Sequence, residues 1–158
     1  MTNDIIEIKQ LSKRYRTKTA LRNINLNIAK GGIFGLIGHN GAGKSTLLKL
    51  IGGLIHPTEG EIRLFGQSPA DHQGLFDRMG LLIEQAGIYP AYSARENLRL
   101  LALAYGLRNG EEHIVRLLHR VGLQDEPDTK VKHYSMGMKQ RLGIAMALFG
   151  SPDVLIPG

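Results

Sequence analysis

Glycine, lysine and serine residues in the first third of the chain have the types and spacing needed to bind phosphate. Gly38 and Gly43-Lys44-Ser45 form the pattern Gly-x-x-x-x-Gly-Lys-Ser, known as the P-loop, with Gly41 between them. Glycines leave backbone N–H groups open to an anion and permit positive φ. Lys44 would place its charge on the β- and γ-phosphates, and Ser45 would offer a hydroxyl to Mg²⁺. The pattern therefore predicts a nucleoside triphosphate site.

A strand, a loop and a helix are expected to present these residues in that order. The apolar run at 33–37, flanked by Gly32 and Gly35, predicts the strand. The helix should begin near Gly43, end near Gly52-Gly53 and aim its positive end at the phosphate. The alternative, a glycine turn that precedes a helix by chance, leaves the agreement of motif and flanks unexplained. The nucleotide-binding residues predicted here are Gly38, His39, Asn40, Gly41, Ala42, Gly43, Lys44, Ser45 and Thr46.

Composition limits the classes of protein to consider. The 158 residues suit about one domain, and 42% hydrophobic with 22% charged residues is globular composition. The absence of cysteine excludes a disulfide framework and a thiolate metal site. No long apolar run or signal peptide is visible, which suits the cytoplasm. The net charge of +6 permits nucleic acid or anionic lipid as a partner. The basic residues are scattered, however, and no nucleic acid partner is predicted.

The N-terminal part of the chain has strand patterns that precede the P-loop. A first strand contains Ile5, Ile6 and Ile8, and residues 24–28 alternate as in a half-buried antiparallel strand. Lys30-Gly31-Gly32 predicts a hairpin turn into the P-loop strand. Tyr15, expected on a loop, could stack on an adenine ring or be a partly buried surface tyrosine. Beyond the P-loop, strands are expected at 61–66 and 81–83, with a short helical segment at 76–79.

The second half of the chain changes from strand to helix patterns. Ser93-Ala94-Arg95-Glu96 is a capping box before an apolar helix that ends at Gly106. A second helix is expected over 111–121 and a third over 136–148. The inward residues predicted for the second helix are Ile114, Val115, Leu117 and Leu118. Residues 88–150 are therefore expected to form a helical insertion rather than alternating β-α units.

Two stretches resemble the ABC ATPases. Tyr134-Ser135-Met136-Gly137-Met138-Lys139-Gln140-Arg141 looks like their signature motif, more often written Leu-Ser-Gly-Gly-Gln. Gly80-Leu81-Leu82-Ile83-Glu84-Gln85, with Tyr89-Pro90 and Glu96-Asn97-Leu98, resembles their Q-loop region. The resemblance spans nearly the whole chain. The forms of both motifs are most similar to the bacitracin and lantibiotic exporter group.

The resemblance implies an α/β fold, a P-loop NTPase (RecA-like) core with an N-terminal antiparallel β portion and a helical ABC subdomain. A single ABC ATPase domain would occupy 1–158, with the nucleotide-binding core at 1–87, the helical subdomain at 88–150 and the start of the Walker B strand at 151–158. ATP and Mg²⁺ are the implied cofactors. The family also places an aromatic residue at Tyr15, which favours stacking on the base.

The signature motif would supply a second anion site. Ser135 can cap the following helix and Gly137 allows close backbone approach. In the family, two ATP-binding subunits pair head to tail, and each ATP lies between one P-loop and the partner's signature motif. The signature residues implied here are Ser135, Met136, Gly137, Met138, Lys139 and Gln140.

The implied function is that of the ATP-binding subunit of an ABC transporter for antibiotic or peptide export. Such a subunit couples ATP binding and hydrolysis to transport, and it binds a membrane-spanning permease subunit from the cytoplasmic face of the cell membrane. The permease is expected to dock beside the Q-loop, at the exposed aromatics Tyr89 and Tyr92. The alternative is a soluble ABC ATPase of DNA repair or translation, but those usually carry coiled-coil insertions or tandem ATPase halves. A P-loop kinase or GTPase would lack the signature motif.

The Q-loop departs from the family pattern. Its glutamine usually falls four residues after the glycine at Gly80, a position that Glu84 holds, and Gln85 comes one place later. Glu84 could hold a water or Mg²⁺ beside the phosphates, or it could be a strand-end carboxylate only. With Lys44, Glu84 and Gln85 are the catalytic candidates, and Ser45 and Glu84 are the metal-ligand candidates.

The Walker B motif departs further. The family has four apolar residues, then Asp for Mg²⁺ and Glu to activate water. This chain has Val154-Leu155-Ile156, then Pro157, which is expected to break the strand, and Gly158 at the position of Asp. Asp153 precedes the strand and cannot replace either carboxylate. The sequence resembles a family member truncated or frameshifted within Walker B, for which hydrolysis is expected to be deficient.

Overall fold

The structure, a computed structural model, describes residues 4–83, 87–107 and 110–158. The chain divides into two compact units, the first ending at Phe76 and the second beginning at Asp77. The division into a core at 1–87, a helical subdomain at 88–150 and a strand start at 151–158 stays a prediction.

An antiparallel sheet organises the first unit. Its strands are β1 (Asp4–Tyr15), β2 (Lys18–Ala29) and β3 (Glu59–Leu64), in the order β2-β1-β3. Both pairings are antiparallel, which confirms the expected N-terminal β portion. In β2 the side chains of alternate residues from Ile24 to Ile28 are half-buried and those between them are exposed, as the alternation of the sequence predicts.

At two irregularities in the β1–β2 ladder, side chains accept the hydrogen bonds of backbone N–H groups. Gln10 and Asn23 have φ of 50° and 47°, at register shifts in the pairing. The Gln10 N–H donates to Asn25 Oδ1 at 2.9 Å, and the Asn23 N–H donates to Ser12 Oγ at 3.0 Å. Bulged backbone groups thus keep hydrogen-bond partners, and the long hairpin stays paired to its tip.

The helix after the P-loop is α1 (Lys44–Ile51), capped at its ends by Gly43 and Gly52 as expected. Its apolar face is buried, and Gly53 follows with φ of 70°. A Cβ on Gly53 would lie 2.3 Å from Phe76 Cζ and would be strained at this φ, so glycine is favoured where the chain leaves the helix.

The strand predicted at 33–37 is wrong. These residues are not in a strand, and Ile33, Phe34 and Ile37 are exposed. A strand requires a ladder partner, and residues 32–39 pair with no strand of the described chain. Lys30 and Gly31 do form a turn after β2, but it does not close a hairpin.

The second unit contains a parallel strand pair and three helices. The strands are β4 (Met79–Leu82) and β5 (Val154–Pro157). The helices are α2 (Ala94–Ala104), α3 (Glu111–Arg120) and α4 (Met136–Leu148). A 3-10 helix, Gln73–Arg78, leads into β4, and a second one, Val131–His133, precedes α4.

Apolar faces of the three helices form one core. Ile114, Leu117 and Leu118 of α3 are buried as predicted. Val115 is 38% exposed, so its assignment to the inward face is wrong: it lies one residue past Ile114, on the solvent side of the helix. The residues of this core are Ala94, Leu98, Ala102, Ile114, Leu117, Leu118, Leu123, Val131, Tyr134, Leu142, Ala145 and Phe149.

Pro157 does not break β5, contrary to expectation. It is the last residue of the strand and pairs with Leu82. The Gly158 N–H donates to the Leu82 carbonyl at 2.7 Å. Because alternate residues of a strand donate to the same neighbour, the N–H that Pro157 lacks is one that would point away from β4.

A buried asparagine fixes the segment that leads into α2. Asn97 is 2% exposed. Its Oδ1 accepts the Tyr89 N–H at 2.8 Å, and its Nδ2 donates to the Tyr89 carbonyl at 3.1 Å and the Ser93 carbonyl at 2.8 Å. Ser93 caps α2 in the predicted capping box with Glu96. The Asn97 side chain thus makes the backbone hydrogen bonds that a neighbouring strand would otherwise make with this segment.

Replacing Asn97 with Ala is expected to lower the free energy of unfolding by about 2 kcal/mol or more, because both polar groups of Tyr89 lose their partner. Urea denaturation followed by circular dichroism measures this change. Asn27→Ala is the control, since Asn27 makes one exposed hydrogen bond, to Asp4. Its effect should stay below about 0.5 kcal/mol. Equal destabilisation by both variants would contradict the role of Asn97.

Candidate nucleotide-binding site

The P-loop wraps around the N-terminus of α1. Gly41 and Gly43 have φ of 85° and 93°, a region that non-glycine residues rarely adopt. The Ala42 N–H donates to the His39 carbonyl at 3.1 Å and closes a tight turn inside the loop. The first N–H groups of any α-helix have no intrahelical acceptor, and Gly43 offers no side chain to cap those of α1. This arrangement suits an anion.

Lys44 folds back across the loop. Its Nζ donates to the Gly38 carbonyl at 2.6 Å and to the His39 carbonyl at 2.9 Å. The ammonium group is therefore held against the backbone of the loop. Ser45 follows Lys44 in the first turn of α1 and is exposed. The structure thus brings together the cation, the hydroxyl and the glycine loop that the sequence predicted.

A close contact ties the loop to the sheet. A Cβ on Gly43 would lie 2.7 Å from the Ala20 carbonyl oxygen and 2.8 Å from Leu21 Cδ2. Real side chains do not come this close, so Gly43 is required both for its φ and for the approach of β2. The motif predicts that Gly43 contributes to phosphate binding, but it does not predict the close contact of Gly43 with β2.

Tyr15 is the last residue of β1, not a loop residue as expected. It pairs with Lys18 at the tip of the hairpin whose second strand contacts Gly43 through Ala20. Tyr15 is 44% exposed, and Lys13 Nζ lies 5.1 Å from the centroid of its ring. Stacking of a nucleotide base on this partly exposed ring stays a prediction.

The signature residues begin at the N-terminus of α4. Ser135 caps the helix, and its Oγ accepts the Met138 N–H at 3.2 Å. Met136, Gly137 and Gln140 are exposed, and Lys139 is half-buried. A Cβ on Gly137 would meet nothing within 4 Å. The open first turn of this helix can approach an anion held by another molecule.

Tyr134, the residue directly before the Ser135 cap, is held in place by burial and a hydrogen bond. It is 5% exposed, and its hydroxyl donates to the Glu126 carbonyl. Burial raises the pKa of the Tyr134 hydroxyl, so it stays a neutral donor. The position of Ser135 is thereby fixed from the connection between α3 and α4.

Charged side chains also bind the connection between α3 and α4. Arg95 Nε donates to Asp128 Oδ1 at 3.0 Å, and Arg141 donates to the Gly122 carbonyl at 2.9 Å. Arg95 also bonds to Glu111, which raises the pKa of Arg95. Hydrogen bonds from Arg99 and then Arg95 lower the pKa of the Glu111 carboxyl. These contacts link α2, the start of α3 and the approach to Ser135.

Tyr89 and Tyr92 form an exposed aromatic pair before α2. Their ring centroids lie 5.9 Å apart, and the side chains are 57% and 43% exposed. The segment is rigidly placed, since the Val131 N–H donates to the Tyr92 carbonyl and Asn97 binds Tyr89. Exposed tyrosines on a fixed backbone are typical of contact surfaces.

Glu84 and Gln85 lie outside the described residues. Gly80, the glycine from which the Q-loop is counted, lies in β4, and a Cβ there would come within 2.2 Å of the Ala147 carbonyl oxygen. Packing of β4 on α4 therefore requires this glycine.

Sequence reasoning missed Asn97 and Arg95 as positioning residues. Asn97 falls on the face of α2 that carries Ala94 and Leu98, and a polar residue at a core position signals a buried hydrogen-bonding role. Arg95 carries no such signal, because its partners Glu111 and Asp128 are distant in sequence.

An antiparallel sheet, a glycine-rich P-loop and a helix capped by a serine are features of the nucleotide-binding domains of ABC proteins. A family model described as ABC transporter matches residues 21–157. The chain belongs to this family.

Among curated relatives, the chain is 40% identical over 152 residues to the lantibiotic transport ATP-binding protein SrtF of Streptococcus pyogenes, covering 96% of this chain and 65% of that protein. It is 41% identical over 155 residues to the bacitracin transport ATP-binding protein BcrA of Enterococcus faecalis, covering 96% and 49%. The chain thus spans between about half and two thirds of the length of these two relatives. They belong to the group that the signature motif indicated.

Solved structures agree with the fold. A structure of an ATP binding subunit of an ABC transporter superposes with a TM-score of 0.81 at 33% identity, covering 97% of this chain and 65% of that one. A dimeric post-hydrolysis structure of the ATP-binding cassette MJ0796, bound to ADP and Pi, gives 0.82 at 29% identity, covering 95% and 72%. The predicted fold class is confirmed.

No helix in the described part of the chain has the length and apolar character needed to cross a bilayer.

Replacing Gly43 with Ala is expected to lower the free energy of unfolding by about 3 kcal/mol, because backbone strain and a clash with β2 add. Chemical denaturation of the purified chain measures it. Gly31→Ala is the matched control: Gly31 has φ of 79°, but a Cβ there meets nothing within 4 Å. It should lose only about 1–2 kcal/mol, from strain. Equal losses would show that the contact with β2 contributes nothing.

Proposed function

We propose that this chain is the ATP-binding part of an ABC exporter for antibiotics or peptides. The observation that carries the proposal is the P-loop geometry, with the Lys44 ammonium held over the carbonyls of Gly38 and His39. The names of the relatives, which refer to lantibiotic and bacitracin transport, support the class of cargo. The permease would contact the cargo, and this subunit would supply the free energy of ATP binding.

The nucleotide would be held by backbone and side chains of one unit. N–H groups of residues 38–46 would surround the β- and γ-phosphates, Lys44 would move from the loop carbonyls to the phosphate oxygens, and Tyr15 would stack on adenine. An acceptor-rich anion is the natural replacement for the two carbonyls that Lys44 now binds.

Mg²⁺ would enter with the nucleotide. The described residues contain no group of three or more His, Cys, Asp or Glu that could hold a metal ion alone. Mg²⁺ usually keeps several waters and takes one or two protein ligands beside the phosphates. The exposed Ser45 hydroxyl would be one of these protein ligands, and Glu84 is the candidate for the second. The ion would neutralise phosphate charge.

A second ATP-binding subunit would complete the site in a head-to-tail dimer. The exposed first turn of α4, with Ser135 and Gly137, would contact the γ-phosphate on the partner's P-loop. The permease subunit would dock on the surface of Tyr89 and Tyr92, which Asn97 holds in place. Docking there would place the subunit on the cytoplasmic face of the membrane.

Hydrolysis by the 158-residue chain is proposed to be slow. Pro157 and Gly158 follow the apolar residues of β5, and in the family the position of Gly158 belongs to the Asp of Walker B. Asp153 is paired with Arg78 Nε at 2.7 Å, before the strand begins. Neither residue 157 nor residue 158 can orient a water or hold Mg²⁺ through a carboxylate.

Replacing Lys44 with Ala is expected to weaken Mg-ATP binding by about 1.5–3 kcal/mol, the contribution of a hydrogen bond to a charged group. Isothermal titration calorimetry measures both dissociation constants. Lys9→Ala removes the same charge from an exposed site on β1 and should leave affinity unchanged. Equal affinity of wild type and Lys44→Ala would refute the proposed site.

Replacing Tyr15 with Ala should weaken ATP binding by about 1–3 kcal/mol, while Tyr15→Phe should bind as the wild type does, because stacking needs the ring and not the hydroxyl. Fluorescence titration with a labelled ATP analogue compares the three proteins. Equal weakening by both variants would assign the effect to the hydroxyl.

Steady-state phosphate release at saturating Mg-ATP should stay at the level of the Lys44→Ala blank. Loss of general-base assistance typically costs about 10²–10⁴-fold in rate. Turnover near one per second that Lys44→Ala abolishes would contradict the proposal of slow hydrolysis without affecting the proposal of binding.

A further inference from the structure

We propose that Lys13 is a positioning residue for the nucleotide base: its ammonium group holds the ring of Tyr15 from one face and leaves the other face for the base. The inference rests on the proposed function, because it needs Tyr15 to stack on a nucleotide. Neither the P-loop pattern nor the signature motif includes Lys13. A ring contact, a hydrogen bond and the charges around Lys13 support the role.

The Lys13 ammonium group contacts one face of the Tyr15 ring. Its Nζ lies over the ring, 5.1 Å from the centroid. A cation within about 6 Å of an aromatic centroid is attracted to the negative face of the ring. Because the ammonium takes one face, a base would stack on the opposite one. Lys13 is half-buried and Tyr15 is exposed, so the more enclosed side chain supports the more exposed one.

A backbone carbonyl anchors the end of the Lys13 side chain. Lys13 Nζ donates to the His56 carbonyl at 2.7 Å. A charge-assisted hydrogen bond of this length restrains a side chain that otherwise has many rotamers. Lys13 lies on β1, and His56 lies on the connection between α1 and β3. The ammonium group is thus held by a second element of the first unit and not by its own strand alone.

The connection that contains His56 is itself bound to β1. The Thr58 N–H donates to the Ser12 carbonyl at 2.9 Å, and the Arg14 N–H donates to Thr58 Oγ1 at 3.0 Å. These two hydrogen bonds come from the residues on either side of Lys13, and both join β1 to the same connection. They fix the His56 carbonyl relative to the end of β1, so the acceptor for Lys13 is as well placed as the donor.

Lys13 differs from the next cation along the strand in its partners. Arg14 forms an ion pair with Glu59 at 3.9 Å. In the part of the chain that the structure describes, no carboxylate lies within ion-pairing distance of Lys13 Nζ, whose contacts are the His56 carbonyl and the Tyr15 ring. A carboxylate would neutralise the ammonium group and weaken its attraction to the ring. The charge of Lys13 therefore acts on Tyr15.

Removing the ammonium group should free the Tyr15 ring, so that stacking must then order the ring and costs more conformational entropy. Lys13→Met keeps an unbranched side chain of similar length. It should raise the Kd for Mg-ATP, measured by isothermal titration calorimetry, by about two- to fivefold, the size of an exposed cation–π contact. Lys13→Arg keeps the cation and a donor and should bind as the wild type does. Lys9→Met, the matched control, removes a charge from the same strand and should leave the Kd unchanged.

Two further measurements distinguish positioning of the ring from a general loss of charge or of folding. Mg-tripolyphosphate, which has no base, should bind the wild type and Lys13→Met with equal Kd. Equal binding also shows that the P-loop of the variant is folded. In the Tyr15→Ala background, adding Lys13→Met should leave the Kd for Mg-ATP unchanged, because no ring remains to be held.

The outcomes separate this inference from the proposed function. If Tyr15→Ala weakens Mg-ATP binding but Lys13→Met binds as tightly as the wild type or more tightly, stacking stands and the role of Lys13 is refuted. The role is also refuted if Lys13→Met weakens Mg-ATP and Mg-tripolyphosphate equally, or if it acts equally in the Tyr15→Ala background. If Tyr15→Ala binds Mg-ATP as the wild type does, stacking and the role of Lys13 both fall. A weakening that requires both the base and Tyr15, and that Lys13→Arg does not show, supports the role.

Discussion

The first unit depends on the absence of a side chain at Gly43. The carbonyl of Ala20 approaches this residue so closely that one methyl group would separate α1 from β2. The same residue has positive φ, which turns the phosphate loop into the helix. Two requirements, one of packing and one of conformation, thus meet at one glycine. Because Lys44 and Ser45 follow directly, any shift at Gly43 would displace the groups that would bind phosphate and metal.

The second unit uses polar groups for the same purpose of placement. Asn97 binds the backbone of the segment before α2, where no strand partner is present. Tyr134, which directly precedes Ser135, donates a hydrogen bond to the connection between α3 and α4. Arg95 joins that connection to α2 and α3. Buried or half-buried hydrogen bonds are direction-dependent, so they fix irregular backbone more narrowly than apolar packing does. The exposed signature residues rest on this framework.

Local signals predicted much of this fold. The capping box at Ser93, the alternation over 24–28 and the limits of α4 depend on neighbours in sequence, and the structure agrees with each. Features set by distant partners were not predictable: the run at 33–37 has strand composition but no ladder partner among the described strands. Likewise, Pro157 is tolerated in β5 because of its register with β4, and register cannot be derived from a proline alone. For the site, the motif identified the loop, but the contacts of Gly43 and of His39 required coordinates.

The exposed apolar run at 33–37 bears on the self-association and solubility of the protein. Ile33, Phe34 and Ile37 form, with their neighbours, an uncharged, proline-free window of high β-propensity, the composition that drives intermolecular strand pairing. An unpaired segment of this kind is a template for pairing with another chain, so we expect self-association to increase with protein concentration and to be blocked by any strand that pairs with the segment. We therefore expect the five residues beside the phosphate loop to lower the solubility of the polypeptide, and the repulsion from its net charge of +6 to weaken as ionic strength rises.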